Sequence, residues 1–388
     1  FASMEKNSTI MEMIVKGLEK IGLAEMFEKD EYESRRKAMP GERLVKIMVV
    51  YQLIKSRYMR GLVRAIENSA NLQKAVGGEI ALNTLSNALA QRPIEQMMAA
   101  WQLVIKEYGE KINKVGKKFA RLALIDSSLI KLSLAAFDWA DYRKAKGAIK
   151  MHMVLEWGRQ IPQQLQITTG RFNDLNPSVK VDWQVGWTYV QDRGYLCFIR
   201  LKSILEAGAH FVVRVKANTD FQIIERREVD RSKQPSGICL TSDWTIRLAG
   251  WPDKLLRLVS YQLPDATLVR VLTDRFDLTA LNIAQLYKER WKIENWWKWV
   301  KSVFKIKEPI ARNLNGVQSQ IITALIADLL LRFFKHLGNF SGSLYDFVVL
   351  CQELSFLSLS DISAGSFRSA LHLIHLYFFQ LNFATPDP

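Results

Sequence analysis

The stretch Tyr287–Lys307, YKERWKIENWWKWVKSVFKIK, constrains the fold of this chain more than any other. A helix turns about 100° per residue. On that wheel Tyr287, Arg290, Glu294, Lys298, Lys301 and Lys305 fall within roughly 80° of one another. Ile293, Trp297, Val300 and Phe304 fall opposite, flanked by Trp296 and Val303. One unbroken helix is therefore expected, with a greasy face on a core and a basic stripe, carrying a single carboxylate, toward water. A lone Glu among cations suits a metal ligand beside a polyanion better than a general base, because neighbouring positive charge favours the ionised form. An ordinary solvated helix laced with salt bridges is the reading that the stretch by itself leaves open.

The charge balance agrees with a polyanionic partner. Lys and Arg number 54 against 39 Asp and Glu, a formal +15, which fits a large anion better than a small neutral substrate. With 48% hydrophobic residues in 388, the chain can bury real cores and is not a disordered basic tail. Cys197, Cys239 and Cys351 lie far apart and in no metal-binding spacing, which argues against a disulfide framework or zinc site and fits a reducing, cytoplasmic setting. The first residues do not read as a signal peptide. The apolar run Ile321–Phe334 carries Asp328 and Arg332 and is too short for a membrane span, so a buried helix and no membrane partner are expected.

Along the chain, residues 5 to about 118 read as helical, with Leu44, Ile47, Met48, Tyr51 and Ile54 at helical spacing. Asn71–Asn83 reads as a break around Gly77-Gly78, followed by a short helix over Thr84–Leu89 and a longer one from Arg92-Pro93 to Tyr108. That arrangement is compatible with a helix-turn-helix reader and with an ordinary helical bundle. From Arg121 strands take over: Leu122–Ile125 and Ile130–Leu134 around a polar Asp126-Ser127-Ser128, then Ile149–Glu156, Gln164–Thr168 and Trp187–Val190. A helix over Leu196–Ala207 and a strand over His210–Lys216 complete an α/β pattern. Asn218–Ala266 is polar, contains Pro235 and Pro252, and reads as a small β-rich insertion before the strand Leu268–Thr273. Helices are expected over Asn315–His336, Ser343–Glu353 and Ser366–Gln380.

Carboxylates at strand ends are a recurrent way to hold Mg²⁺ or Mn²⁺, because the strand fixes the oxygen ligand. Asp126 and Asp192 stand at such ends and Glu294 on the basic helix; Asp138, Asp141 and Asp174 compete, and composition does not choose among them.

A resemblance does choose. Tyr287, Arg290, Glu294 and Lys301 stand as Y-x-x-R-x-x-x-E-x-x-x-x-x-x-K, which resembles the signature of bacterial insertion-sequence transposases of the DDE class with the Tyr-Arg-Glu-Lys motif, the insertion-sequence-four type. Gln191-Asp192-Arg193-Gly194-Tyr195 is similar to the group's second-Asp motif and Leu124-Ile125-Asp126-Ser127-Ser128 to its first. Leu272-Thr273-Asp274-Arg275-Phe276 and Phe304-Lys305-Ile306-Lys307 also resemble family segments, so the likeness runs over roughly residues 40–335. It implies an α/β fold with an RNase H-like catalytic core (119–217 and 267–312), a β-rich insertion (218–266), and helical N-terminal (1–118) and C-terminal (313–388) regions. It also implies a metal triad of Asp126, Asp192 and Glu294 holding two Mg²⁺ ions, for which Mn²⁺ can substitute. Tyr287, Arg290 and Lys301 would hold phosphates of the transposon end; Arg193, beside the second Asp, is a further candidate contact, and Lys298 and Lys305 share the face outside the motif, with a solvated lysine as the alternative. The implied partners are double-stranded DNA, as transposon ends and target, and at least a second copy of the chain in a synaptic complex.

Trp244, Trp251 and Tyr261 in the insertion are available to stack on a flipped base, with packing as the alternative. His152, and the pair His372 and His375, read as structural. Rival functions on the same residues are a non-catalytic DNA-binding descendant, a simple metal-dependent nuclease and a nucleic-acid coat protein.

Overall fold

The computed structural model describes residues 9–33, 38–112, 121–143, 146–172, 180–230, 237–362 and 365–375. It divides into a helical unit, Phe1–Asn113 with Val300–Pro388, and a sheet unit, Lys114–Trp299.

The helical unit begins with α1 (Ile10–Lys20), whose start is a capping box: Glu12 N–H donates to Thr9 Oγ1 at 3.2 Å, and Thr9 N–H to Glu12 Oε2 at 2.7 Å. Then follow α2 (Leu23–Glu28), α3 (Gly41–Leu53), α4 (Met59–Glu67), α5 (Ala70–Val76), α6 (Leu82–Gln91) and α7 (Ile94–Tyr108). The break expected over Asn71–Asn83 is half helix: Ser69 caps α5 by accepting from Leu72 N–H, and only Gly77 and Gly78, at φ +81° and +103°, make the turn.

The sheet unit carries β1 (Leu122–Leu132), β2 (Asp141–Arg143), β3 (Lys146–Glu156), β4 (Ile161–Thr169), β5 (Thr188–Gln191), α8 (Phe198–Glu206), β6 (His210–Arg214), β7 (Phe221–Arg227), β8 (Cys239–Leu248), β9 (Trp251–Gln262), β10 (Leu268–Thr273), α9 (Ala280–Lys288) and α10 (Trp291–Val303). β4, β3 and β1 are antiparallel, β1, β5 and β6 parallel, and β6, β10, β9, β8 and β7 antiparallel. The order is β2-β3-β1-β5-β6-β10-β9-β8-β7, with β4 also on β3. The parallel step from β5 to β6 passes through α8, the crossover that a parallel pair requires. Under α8 lies a core of Ile125, Tyr189, Leu201, Ile204, Phe211, Val213, Ile246, Leu258 and Leu272. α9 packs against β5, β6, β8, β9 and β10.

Two expectations fail here. Asp126-Ser127-Ser128 is not a turn between two strands: β1 runs straight through it, paired to Met153, His152 and Met151 of β3. Nor is Tyr287–Lys307 one helix: α9 stops at Lys288 and α10 starts at Trp291, with turn hydrogen bonds across Glu289 and Arg290. The greasy face is as read, Ile293, Trp296, Trp297, Val300 and Phe304 all being buried, but Tyr287 is buried too.

The chain returns to the helical unit at Val300, within the last turn of α10, and continues with α11 (Leu314–Leu337), α12 (Leu344–Glu353) and α13 (Ser366–His375). With 24 residues α11 is long and apolar enough to cross a membrane, yet 89% of its apolar window is buried inside the protein. Its Asp328, 2% exposed, is paired with Arg332 at 2.8 Å. It packs on α3, α6, α7, α12 and α13, and Phe333 stacks on Tyr108 of α7 at 4.3 Å.

Lys305 leaves the basic stripe altogether. Its Nζ lies 4.4 Å from the Tyr51 ring centre and donates to the carbonyls of Tyr51 and Ile54 at the end of α3, where a helix leaves acceptors unpaired. Burial, with Arg57 nearby, lowers its pKa to about 7. A folded-state value below the unfolded one, about 10.4, means that the unfolded chain binds more protons between the two. Stability from this group therefore rises with pH from about 7 toward 9.5, below the range of the tyrosines. The urea midpoint of the wild type should climb over that window more steeply than that of Lys305→Met; equal slopes would show that Lys305 is not the source.

Candidate active site

The site grows from strand register. Ile125 on β1 and Gln191 on β5 are the last matched pair of that parallel ladder. Asp126 and Asp192 are the next residues on the two strands, which run about 4.8 Å apart. In matched parallel strands both side chains leave the same face of the sheet. It is the face opposite Ile125 and the core under α8, and it is the one that α9 covers. Both aspartates are half-buried. Asp192 ends its strand because Arg193–Tyr195 turns at once, Tyr195 N–H donating to the Asp192 carbonyl at 2.9 Å.

Across this face the end of α9 brings Tyr287, whose hydroxyl donates to Asp192 Oδ1 at 3.1 Å. The break after Lys288 then places Arg290 so that its Nη1 meets Glu294 Oε1 at 2.7 Å while its guanidinium lies 5.7 Å from the Tyr287 ring centre. Because α10 starts afresh at Trp291, Glu294 sits in a helix first turn, where the unpaired N–H groups favour negative charge. Burial pushes the Tyr287 hydroxyl up to about 12, Arg290 and Arg214 opposing and Asp192 adding to the rise, so it remains a donor. Burial works against the Arg290 charge, but Tyr287, Asp192 and Glu294 outweigh it and hold the guanidinium above its ordinary value. Its Nε is buried with no hydrogen-bond partner.

Other expected residues lie apart. Arg193 is exposed on its turn. Lys298 is exposed, with its Nζ 4.9 Å from the ring centre of Trp291. Lys301 is half-buried and follows Trp299, the last residue of the sheet unit. Asp138 accepts from Trp139 N–H in an exposed turn; the Asp141 side chain and Asp174 fall outside the described residues. His152 is buried, 3.0 Å from Thr168 Oγ1, and His375 is buried where His372 is exposed. Trp251 and Tyr261 are buried in the sheet, and Trp244 packs beside Phe221.

Sequence reasoning passed over Arg214, which is electrostatically coupled to Tyr287, and expected Tyr261, coupled to Tyr287 as well, to stack on a base or pack. It also missed Trp291, 52% exposed beside the break. Alternation along His210–Arg214 was the available signal, since it puts Arg214 on the Asp192 side of the sheet. A cavity of about 720 Å³ opens at the opposite end of α9, between Ala280 and strands β7–β9.

Asp126 and Asp192 supply the adjacent oxygen donors that a hard divalent cation takes. Among the described residues, however, no group of three or more His, Cys, Asp or Glu is placed to hold a metal, and Glu294 is engaged by Arg290. Strand register thus brings two carboxylates side by side, Asp192 accepting from Tyr287, while the third carboxylate is paired with Arg290.

Residues 117–330 match the family described as transposase DDE domain. A Sinorhizobium fredii protein named as a transposase, y4zB, is 30% identical over 69% of this chain and 76% of its own length. A Geobacillus stearothermophilus protein named as a transposase for insertion sequence element IS5377 is 26% identical over 69% and 71%. A solved piggyBac transposase synaptic complex with hairpin DNA aligns over 99% of this chain and 84% of its own at a TM-score of 0.39 and 15% identity, a distant likeness. With the family match extending over more than half of the chain, and relatives covered for most of their length, the protein belongs to the DDE transposases of bacterial insertion sequences.

Proposed function

We propose that this transposase works by cut-and-paste: it binds the terminal inverted repeats of its element, hydrolyses a phosphodiester there with water to free a 3′-hydroxyl, and directs that hydroxyl at the phosphorus of another phosphodiester, whose own 3′-oxygen leaves. The observation that carries the reading is the register of β1 on β5, which sets Asp126 beside Asp192, with Tyr287, Arg290 and Glu294 gathered across the same face. Strand order supports an RNase H-like core: three antiparallel strands (β4, β3, β1) continue into two parallel ones (β5, β6). The Tyr-Arg-Glu-Lys spacing supports placement in the insertion-sequence-four type.

In this reading Asp126 and Asp192, joined by Glu294, would hold two Mg²⁺ ions, which would supply positive charge for phosphoryl transfer. The chain's own share is positioning and charge neutralisation, which phosphoryl transfer needs more than covalent catalysis. Arg290 and Tyr287 exchange their carboxylate partners for phosphate oxygens of the transposon end; Lys301, Arg193 and Lys298 add phosphate contacts. Cutting two ends together calls for at least a dimer on DNA, with the helical N-terminal region taking part in end recognition.

A non-catalytic descendant that only binds DNA is the second reading, favoured by the engagement of Glu294 with Arg290. Incubating the protein and Asp192→Asn with end DNA in Mg²⁺ or Mn²⁺ decides between them. Cuts at the element's ends that vanish in the variant are expected. End binding without cleavage in either metal would overturn the catalytic proposal and leave the second reading.

A further inference from the structure

We infer that α6 reads the base pairs of the transposon end, lying in the major groove of B-form DNA with Asn83, Asn87 and Gln91 turned to adenine edges. The inference rests on the proposal that the chain binds transposon ends, and it concerns the helical unit alone.

Helix α6, LNTLSNALAQ, carries no charged residue. Leu85 and Leu89 are fully buried, and α6 packs by that side against α4 and α11. Its end is pinned by two bonds to backbone carbonyls: Asn315 Nδ2 donates to Ala90 O at 3.1 Å and Tyr32 Oη to Gln91 O at 2.9 Å. On the opposite side Asn83, Ser86, Asn87 and Gln91 are all exposed and fall within about 140° of the helix wheel. None of these four makes a side-chain hydrogen bond among the described residues. The result is a rigidly seated helix offering water a row of three amides and a hydroxyl.

The composition of that row selects the partner. It has no aromatic or aliphatic anchor of the kind that centres a protein interface. A major groove of B-DNA is about 12 Å wide and admits a helix, whereas the deep, narrow groove of A-form RNA does not. Asn83 to Gln91 spans eight helical rises, about 12 Å at 1.5 Å each, which corresponds to roughly three or four base steps of about 3.4 Å. Asn and Gln pair in bidentate fashion with adenine N6 and N7, and Ser accepts several bases. Cations for the flanking phosphates are at hand: Arg60 and Arg64 are exposed on α4, which packs against α6. Phosphate contacts of this kind position a reader but carry no sequence information.

The test measures binding of the full chain to its own terminal-repeat duplex, to a scrambled duplex, and to duplexes in which single adenines are replaced by 7-deazaadenine, which removes the N7 acceptor. For the wild type, certain replacements should weaken binding about tenfold. Asn87→Ala, Asn83→Ala and Gln91→Ala should each become insensitive at one of those positions with the salt slope unchanged, since no phosphate contact is lost. Alanine keeps the helix, and circular dichroism checks it. Arg64→Ala should instead weaken all duplexes alike and lower the salt slope by about one. If the three variants keep the wild-type pattern of 7-deazaadenine sensitivity, α6 is not the reader. If the wild type does not prefer its own ends to the scrambled duplex, the end-binding proposal itself fails.

Discussion

Glu294→Ala should abolish cleavage, by at least about 10³-fold as for the loss of a group that acts only on the transition state, while binding of end DNA survives or tightens. Tightening follows from the geometry. Arg290 is held by Glu294 at 2.7 Å and is further surrounded by Tyr287 and Asp192. Removing Glu294 gives the guanidinium one fewer internal acceptor, so a phosphate meets less competition. A charge-assisted hydrogen bond is worth about 1.5–3 kcal/mol, and even partial recovery of that amounts to a few-fold gain in affinity. Glu294→Gln separates charge from shape: it should be as inactive as alanine, with end affinity between alanine and wild type. The measurements are gel-shift affinity and single-turnover cleavage on the same duplex. Wild-type cutting by Glu294→Ala would remove Glu294 from the catalytic set and leave Asp126 and Asp192 to be explained without it.

The second large effect is on stability, in the ion pair under β8 and β9. Arg257 Nε and Nη2 donate to Asp243 Oδ1 and Oδ2 at 2.8 and 2.7 Å, and both side chains are 3% exposed. Asp243→Ala strands a buried guanidinium and should cost about 3–5 kcal/mol in urea unfolding. Arg257→Met strands the aspartate, but Arg227 lies 3.7 Å from it and can share its charge, so that loss should be the smaller. Replacing both with Asp243→Leu and Arg257→Met should recover most of the stability, because a well-packed apolar pair avoids desolvating two ions. Activity should not recover with it. Arg257 also donates to the carbonyls of Arg275 and Leu278, which fix the chain just before α9, the helix that delivers Tyr287. A double variant as stable and as active as the wild type would show that this tie is dispensable.

What the amino acids disclosed depended on how local the cause was. Asp192 could be seen as a strand end because the apolar run Tyr189–Val190 stops at once in an exposed Arg-Gly turn. Asp126 could not be placed correctly, since Asp-Ser-Ser has turn chemistry; the ladder to distant β3, where Asp126 faces Met153, holds it extended. The helical wheel grouped Tyr287, Arg290 and Glu294 but assumed an unbroken helix, and no Gly or Pro marks the interruption at Glu289 and Arg290. The family-like segment Thr273-Asp274-Arg275 has a structural explanation that no spacing reveals. Thr273 Oγ1 donates to Phe211 O, Phe211 N–H to Asp274, and Arg275 to Thr188 Oγ1, so this short piece ties the end of β10 to the beginnings of β5 and β6. The polar, Pro-containing texture of Asn218–Ala266 marked a change of pattern, but not that its strands join the central sheet, because register is set by distant partners.

That continuity has a mechanical consequence. β7, β8 and β9 are laced to β10, β10 to β6, and β6 to β5, the strand that ends in Asp192. Among the described residues the ladder is continuous from the outer edge to β5, with register shifts only in the β7–β8 and β8–β9 pairs. A force applied at β7 is therefore carried toward Asp192 through paired strands, as a tilt or twist of the sheet rather than the swing of a separate flap.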